Sequence, residues 1–163
     1  MDFFEYQRWF ERALSKLKLP SDCQQREPEW EAIQPPYSWQ VRAFFDFSDG
    51  KHIRLWESHD KFAGLYMSRR VQWSYHYGDT MSLDENGDAT QGAPDDPLDL
   101  RIDTAGGQVH MHYQKRQPHY RQADIEGLDL AKVDGLLFVR AVLRHRQTGK
   151  PLSDTLGFKI KIV

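Results

Sequence analysis

The chain has 163 residues, a formal net charge of −2, 39% hydrophobic and 28% charged residues. That length suits one domain, 1–163, with a core large enough to fold without cross-links, and the near-neutral balance gives no overall drive towards nucleic acid. A single cysteine, Cys23, excludes an intramolecular disulfide and a thiolate metal cluster; with no signal-peptide pattern and no run near the ~18 apolar residues of a membrane span, a cytoplasmic location is expected.

Residues 2–17 read as a helix. Asp2 and Glu5 have the spacing of a capping box, and Phe3, Tyr6, Phe10, Leu14 and Leu17 form one apolar stripe. Pro20 is expected to stop it, and Ser21 to Ile33 reads as a short second helical piece ended by Pro35-Pro36. The period then changes to two. Trp39, Val41, Ala43, Phe45 and Phe47 alternate through 38–47, and Ser48-Asp49-Gly50 reads as a hairpin turn into a strand over 51–57. Residues 66–77 alternate again, with Val71, Trp73, Tyr75 and Tyr77 on one side.

Residues 79–97 contain six acidic and no basic residues, and read as a long loop. Asp84 to Asp88 resembles the start of a calcium loop, but Ala89 and Asp95 stand where glycine and glutamate are needed. Leu98, Leu100 and Ile102 mark a fourth strand. Ala105-Gly106-Gly107 turns the chain into a fifth, with Val109, Met111 and Tyr113 inward. Residues 129–147 read as a helix weakly interrupted by Gly135, with a strand pair over 136–145 as the alternative; Gly149 and Pro151 close the helix, and 158–162 reads as a last strand. The fold expected is α+β, a mainly antiparallel sheet with N-terminal and C-terminal helices packed on one face.

Side chains at i and i+2 share one face of a strand. With the apolar set inward, the opposite face receives Arg42, Arg54, His76, Asp99, Arg101, Asp103, His110 and His112. A nearly neutral protein thus carries a locally basic, histidine-rich sheet face, provided that no strand slips by one residue. His110 and His112 lie about 7 Å apart at Cα and can meet one ligand. Three readings are open. The pair can work as general acid and base without metal, with arginines stabilising a phosphoryl transition state, as in RNA cleavage through the ribose 2′-hydroxyl. It can bind zinc with His119 or a carboxylate, although no third ligand stands at a convincing spacing. It can also be solvated polar filling. Neither a resident metal nor a cofactor is expected. Lys115-Arg116 with His119, Tyr120 and Arg121 is a basic stretch able to follow a nucleic-acid backbone. No phosphate-binding glycine loop or serine-hydrolase elbow occurs.

Tyr37-Ser38, the turn Asp49-Gly50, Glu57, Tyr75-His76-Tyr77, and Arg101-Ile102-Asp103 before His110-Met111-His112 follow one another in an order that resembles the TumE family of small bacterial toxin–antitoxin proteins, over about residues 37–120. Met111 stands where the family pattern has a lysine between two histidines. The resemblance implies a toxin-like protein with an antitoxin as its partner. Two functions are therefore expected as alternatives. One is action on RNA, with His110, His112, His76 and Arg101 as catalytic candidates and Arg42, Arg54, Glu57 and Tyr75 as binding candidates. The other is a non-catalytic module that docks a protein through the open sheet face or the acidic loop 79–97.

Overall fold

The structure, a computed structural model, describes residues 1–34, 36–61, 68–79 and 97–161. Asp2 caps α1 (Phe3–Ser15) through a complete capping box: its side chain accepts from the Glu5 amide at 2.9 Å, and its own amide donates to the Glu5 carboxylate at 3.0 Å. Phe10 and Leu14 carry the stripe into the core. The helix ends before Pro20.

The segment expected to hold a second helical piece is instead β1 (Cys23–Gln34), the edge strand of the main sheet, paired antiparallel with β2 (Ser38–Phe47). Its inward positions are few, which hid the period of two. Trp30 supplies the main anchor, edge-on to Phe3 and Phe10 of α1. Pro28 falls in the register shift between Arg26 and Glu29, at the sheet edge, where a missing N–H is tolerated.

The sheet continues as a meander of neighbours: β3 (Lys51–Lys61), β4 (Ser68–Asp79), β5 (Pro97–Asp103), β6 (His110–Lys115) and the short β7 (Tyr120–Arg121), seven strands in sequence order and all antiparallel. Gly50 at φ 90° closes the β2–β3 turn, and Gly106 and Gly107, at φ 80° and 86°, close the β5–β6 turn. Most of the acidic loop, with its calcium-like stretch, lies outside the described residues.

Ile125–Glu126 (β8) pairs with Lys159–Ile160 (β9) in a separate two-stranded sheet, so the last strand does not join the main one. Residues 136–145 are helical. Leu130–Lys132 is a 3-10 turn, and α2 (Gly135–Thr148) starts at Gly135, not at 129. The Asp134 side chain accepts from the Leu137 amide at 2.8 Å, which makes Gly135 the first helical residue rather than an interior break. Gly149, at φ 73°, caps the helix end, and α3 (Leu152–Leu156) follows. α1 and α2 lie on the same sheet face. Between them and the sheet sit Val41, Phe45, Ile53, Leu55, Tyr75, Ile102 and Met111 against Phe138, Val139 and Val142. Each large side chain so buried contributes about 1.5–3 kcal/mol. Among the described residues no helix is long and apolar enough to cross a membrane.

Candidate functional site: two polar clusters on opposite sheet faces

On the face away from the helices, the register forms two rows. Phe44, Arg54, His76, Arg101 and His112 are successive cross-strand partners from β2 to β6. Arg42, Trp56, Ser74, Asp103, His110 and Arg121 form the next row, from β2 to β7. The alternation read from the sequence therefore places Arg42, Arg54, His76, Arg101, Asp103, His110 and His112 on one face. Asp99 sits in the irregularity between Leu98 and Leu100 and pairs with Lys51 at 2.5 Å.

The β5–β7 end of this face draws three histidines, an aspartate and an arginine together. Asp103 is 2% exposed and stands opposite His110. Its Oδ1 is 3.0 Å from His110 Nε2, its Oδ2 is 3.8 Å from His112 Nε2, and Arg101 Nε is 2.6 Å from Oδ2. The other ring nitrogen of each histidine meets a backbone carbonyl: His110 Nδ1 lies 3.0 Å from Gln108 O, and His112 Nδ1 lies 2.7 Å from Arg116 O. His119 enters from the turn before β7. Its ring is parallel to that of His110, at 5.0 Å between centroids, and edge-on to that of His112 at 4.2 Å. One ligand nitrogen from each of the three imidazoles falls within 4.8 Å of the others. Burial first, and then neighbouring positive charge, holds the His112 and His119 rings below the ordinary histidine value.

The remaining predicted residues do not converge there. Arg54 is three strands from β6, about 14 Å, and Arg42 four, about 19 Å. Arg54 donates to Asp46 at 3.0 Å and stacks on Phe44. His76 is buried two strands away, with Nδ1 3.1 Å from His52 Nε2 and with Nε2 lacking a hydrogen-bond partner. Burial, reinforced by His52, Arg101 and Arg54, keeps its ring well below the usual pKa and hence neutral. The face is not open around these rings, since His52 and His76 are 0% and 3% exposed.

Glu57 and Tyr75 point to the opposite face. The register pairs Glu57 with Val41 and Trp73, and Tyr75 with Leu55 and Ile102, so these two binding candidates stand apart from the histidines. Both belong to a second cluster beneath the helices. The Glu57 carboxylate accepts from Tyr6 and Tyr75 hydroxyls at 2.5 Å each and faces His59 Nε2 at 2.9 Å. His59 stacks on Trp39, and Arg70 donates to the Tyr75 hydroxyl and to the carbonyls of Val133 and Ala131. Burial raises the Glu57 carboxyl, but these three donors outweigh it and hold the group below its ordinary range. Every oxygen in this cluster has a partner, so its work is to tie α1, the sheet and the 130–133 segment together. Cys23 lies on the edge strand, its thiol pushed up to about 11 by burial and by Asp22, which makes it a poor nucleophile.

Sequence reasoning counted Asp103 only as charge on the face and left His119 without a position. Both were reachable. A turn centred between Gly106 and Gly107 sets residue 103 opposite 110, and the β6–β7 register, extended by one pair beyond Met111 and Tyr120, sets His119 opposite His112. No family model, curated protein or solved structure matches this chain.

Proposed function

We propose that the protein cleaves RNA at the β5–β7 end of the outward sheet face. The carrying observation is the gathering of His110, His112 and His119 on the buried Asp103 carboxylate, directly beside Arg101. In-line cleavage of RNA forms the O2′–P bond and breaks the P–O5′ bond. It requires removal of the 2′-hydroxyl proton, compensation of the charge on the phosphoryl oxygens, and a proton for the departing 5′-oxygen. Arg101 is held by ion pairing with Asp103, and the N–H groups of its guanidinium are suited to a phosphate. Arg121, paired with His110, and the Lys115-Arg116 pair at the end of β6 extend positive charge along the path of a strand. The resemblance to the TumE family supports a toxin-like role and an antitoxin as protein partner. Induced expression in a bacterial host tests the reading. Wild type arrests growth, and the equally soluble double variant His110→Ala/His112→Ala does not; growth unaffected by the wild type would count against it.

A groove between α1 and α2 favours a second reading, docking of a protein. Trp9, Leu137, Arg12, Lys16, Arg140 and Arg144 line its ≈ 630 Å³ with Asp134 as the sole carboxylate. Trp9 and Leu137 are each 41% exposed. This combination suits an acidic, partly apolar segment of a partner such as an antitoxin. Arg140→Glu with Arg144→Glu would abolish binding of an acidic amphipathic peptide, measured by fluorescence anisotropy, without touching the histidine face. Equal binding by wild type and variant would remove this reading.

A further inference from the structure

We infer that His110, His112 and His119, with Asp103, form a binding site for one divalent transition-metal ion of the zinc class. The inference shares the site of the proposed function but does not depend on RNA being the substrate.

Three features carry it. The first is that the Nε2 atoms of His110 and His112 both face the oxygens of one buried carboxylate, at 3.0 and 3.8 Å, while each Nδ1 meets a backbone carbonyl, at 3.0 and 2.7 Å. With the ring hydrogen on Nδ1, two nitrogen lone pairs and a carboxylate share one space, and a single metal cation there is attracted to all three. The second feature is orientation from behind. Metal-ligating histidines typically donate their other ring N–H to a carbonyl or carboxylate, which fixes tautomer and ring direction; Gln108 and Arg116 supply these carbonyls.

The third feature is the donor set and its placement. Two histidines at i and i+2 on β6 and a third from the following turn bring their ligand nitrogens together, and Asp103, opposite on β5, lies against the first two. Tetrahedral ligands at zinc distances are about 3.4 Å apart. The imidazole nitrogens, now within 4.8 Å of one another, close on the ion through small ring movements, to which the exposed His119 is best suited. Three nitrogens and one oxygen select zinc, cobalt or nickel over magnesium or calcium, which take all-oxygen sets.

The site admits two uses. With Asp103 as the fourth ligand it is closed. With Asp103 instead accepting from a bound water, three histidine ligands would leave one position open, as in hydrolytic zinc sites.

The test is calorimetric titration of the full chain, first stripped with a chelator, with zinc and separately with cobalt. We expect one equivalent bound, with tetrahedral visible absorption for cobalt. His119→Gln, at an exposed position that leaves the fold intact by circular dichroism, should weaken affinity by about tenfold or more, and Asp103→Asn by about 10- to 100-fold. No stoichiometric binding of either ion, or binding unchanged in both variants, overturns the inference. The two proposals fail separately. Stoichiometric metal binding without RNA cleavage removes the proposed function and leaves this one; RNA cleavage by a chain that binds neither ion stoichiometrically does the reverse.

Discussion

Asp103 and His110 stand opposite one another on β5 and β6, with carboxylate and ring nitrogen 3.0 Å apart and the carboxylate shut off from solvent. Asp103 also anchors Arg101 at 2.6 Å, so one buried charge orients both the imidazoles and the guanidinium next to them. Asp103→Asn preserves shape and removes that charge. The expected outcome is RNA cleavage lower by ~100-fold or more with circular dichroism unchanged. Wild-type cleavage by this variant would show that the aspartate is a bystander.

The buried pair His52 and His76 makes the fold sensitive to mild acid. Burial, and then Arg54, pushes His52 from 6.5 down to about 4. The unfolded chain therefore takes up a proton near pH 6.5 that the native chain refuses until about pH 4, and stability falls with pH across that window. Between pH 7 and 5 the loss from His52 alone is about 2 kcal/mol. Urea midpoints at the two pH values measure it. His52→Gln should show a flatter dependence, and a wild type equally stable at both would contradict the burial of a neutral pair.

Glu57 acts in a lower window and with the opposite protonation logic. Its carboxyl is held below 4.5 in the native state, so its contribution is present above that value and is lost as the pH falls through the lowered native one. Glu57→Ala leaves the Tyr6 and Tyr75 hydroxyls and His59 without their acceptor in a buried setting. Destabilisation of about 3 kcal/mol is expected in chemical denaturation at pH 7. The metal affinity of the folded variant should stay at the wild-type level, because Glu57 lies on the other face of the sheet. A loss of affinity as large as that of the Asp103 variant would mean that the two clusters communicate.

Gly135 is required by contact rather than by φ. A Cβ there would come 3.1 Å from Leu55 Cδ1 and 3.6 Å from Glu57 Oε2. Alanine ordinarily favours a helix over glycine by about 1 kcal/mol. At this position the crowding exceeds that gain, and Gly135→Ala is expected to lower stability by about 1 kcal/mol. A thermal midpoint raised above the wild type would show that Leu55 has room to give way.

The sequence exposed the sheet where one face is apolar and hid it where neither is. From Trp39 to Phe47, and again at Trp73, Tyr75 and Tyr77, bulky residues alternate, and the register follows. In β1 only Cys23, Gln25, Pro28 and Trp30 are even half-buried, so an edge strand with a proline at its irregularity resembles a broken helix. The outward rows were legible because Met111 and Ile102 pin β6 and β5 to the core. Their neighbours Arg101, Asp103, His110 and His112 then have no choice of face. Convergence was harder to read, because alternation gives the face and not the distance along it. Arg42 and Arg54 share the face with the histidines yet stand four and three strands away. Glu57 is a buried charge at an inward position, which hydrophobic alternation alone does not reveal; three donors supplied by Tyr6, His59 and Tyr75 make it possible.

The most direct test of the central claim is cleavage of RNA by the purified chain, compared with His110→Ala/His112→Ala of matched fold and with a DNA strand of the same sequence. Wild type alone is expected to cut the RNA, leaving a 2′,3′-cyclic phosphate on the upstream fragment, and to spare the DNA. Equal cutting by the double variant, or intact RNA throughout, would contradict it.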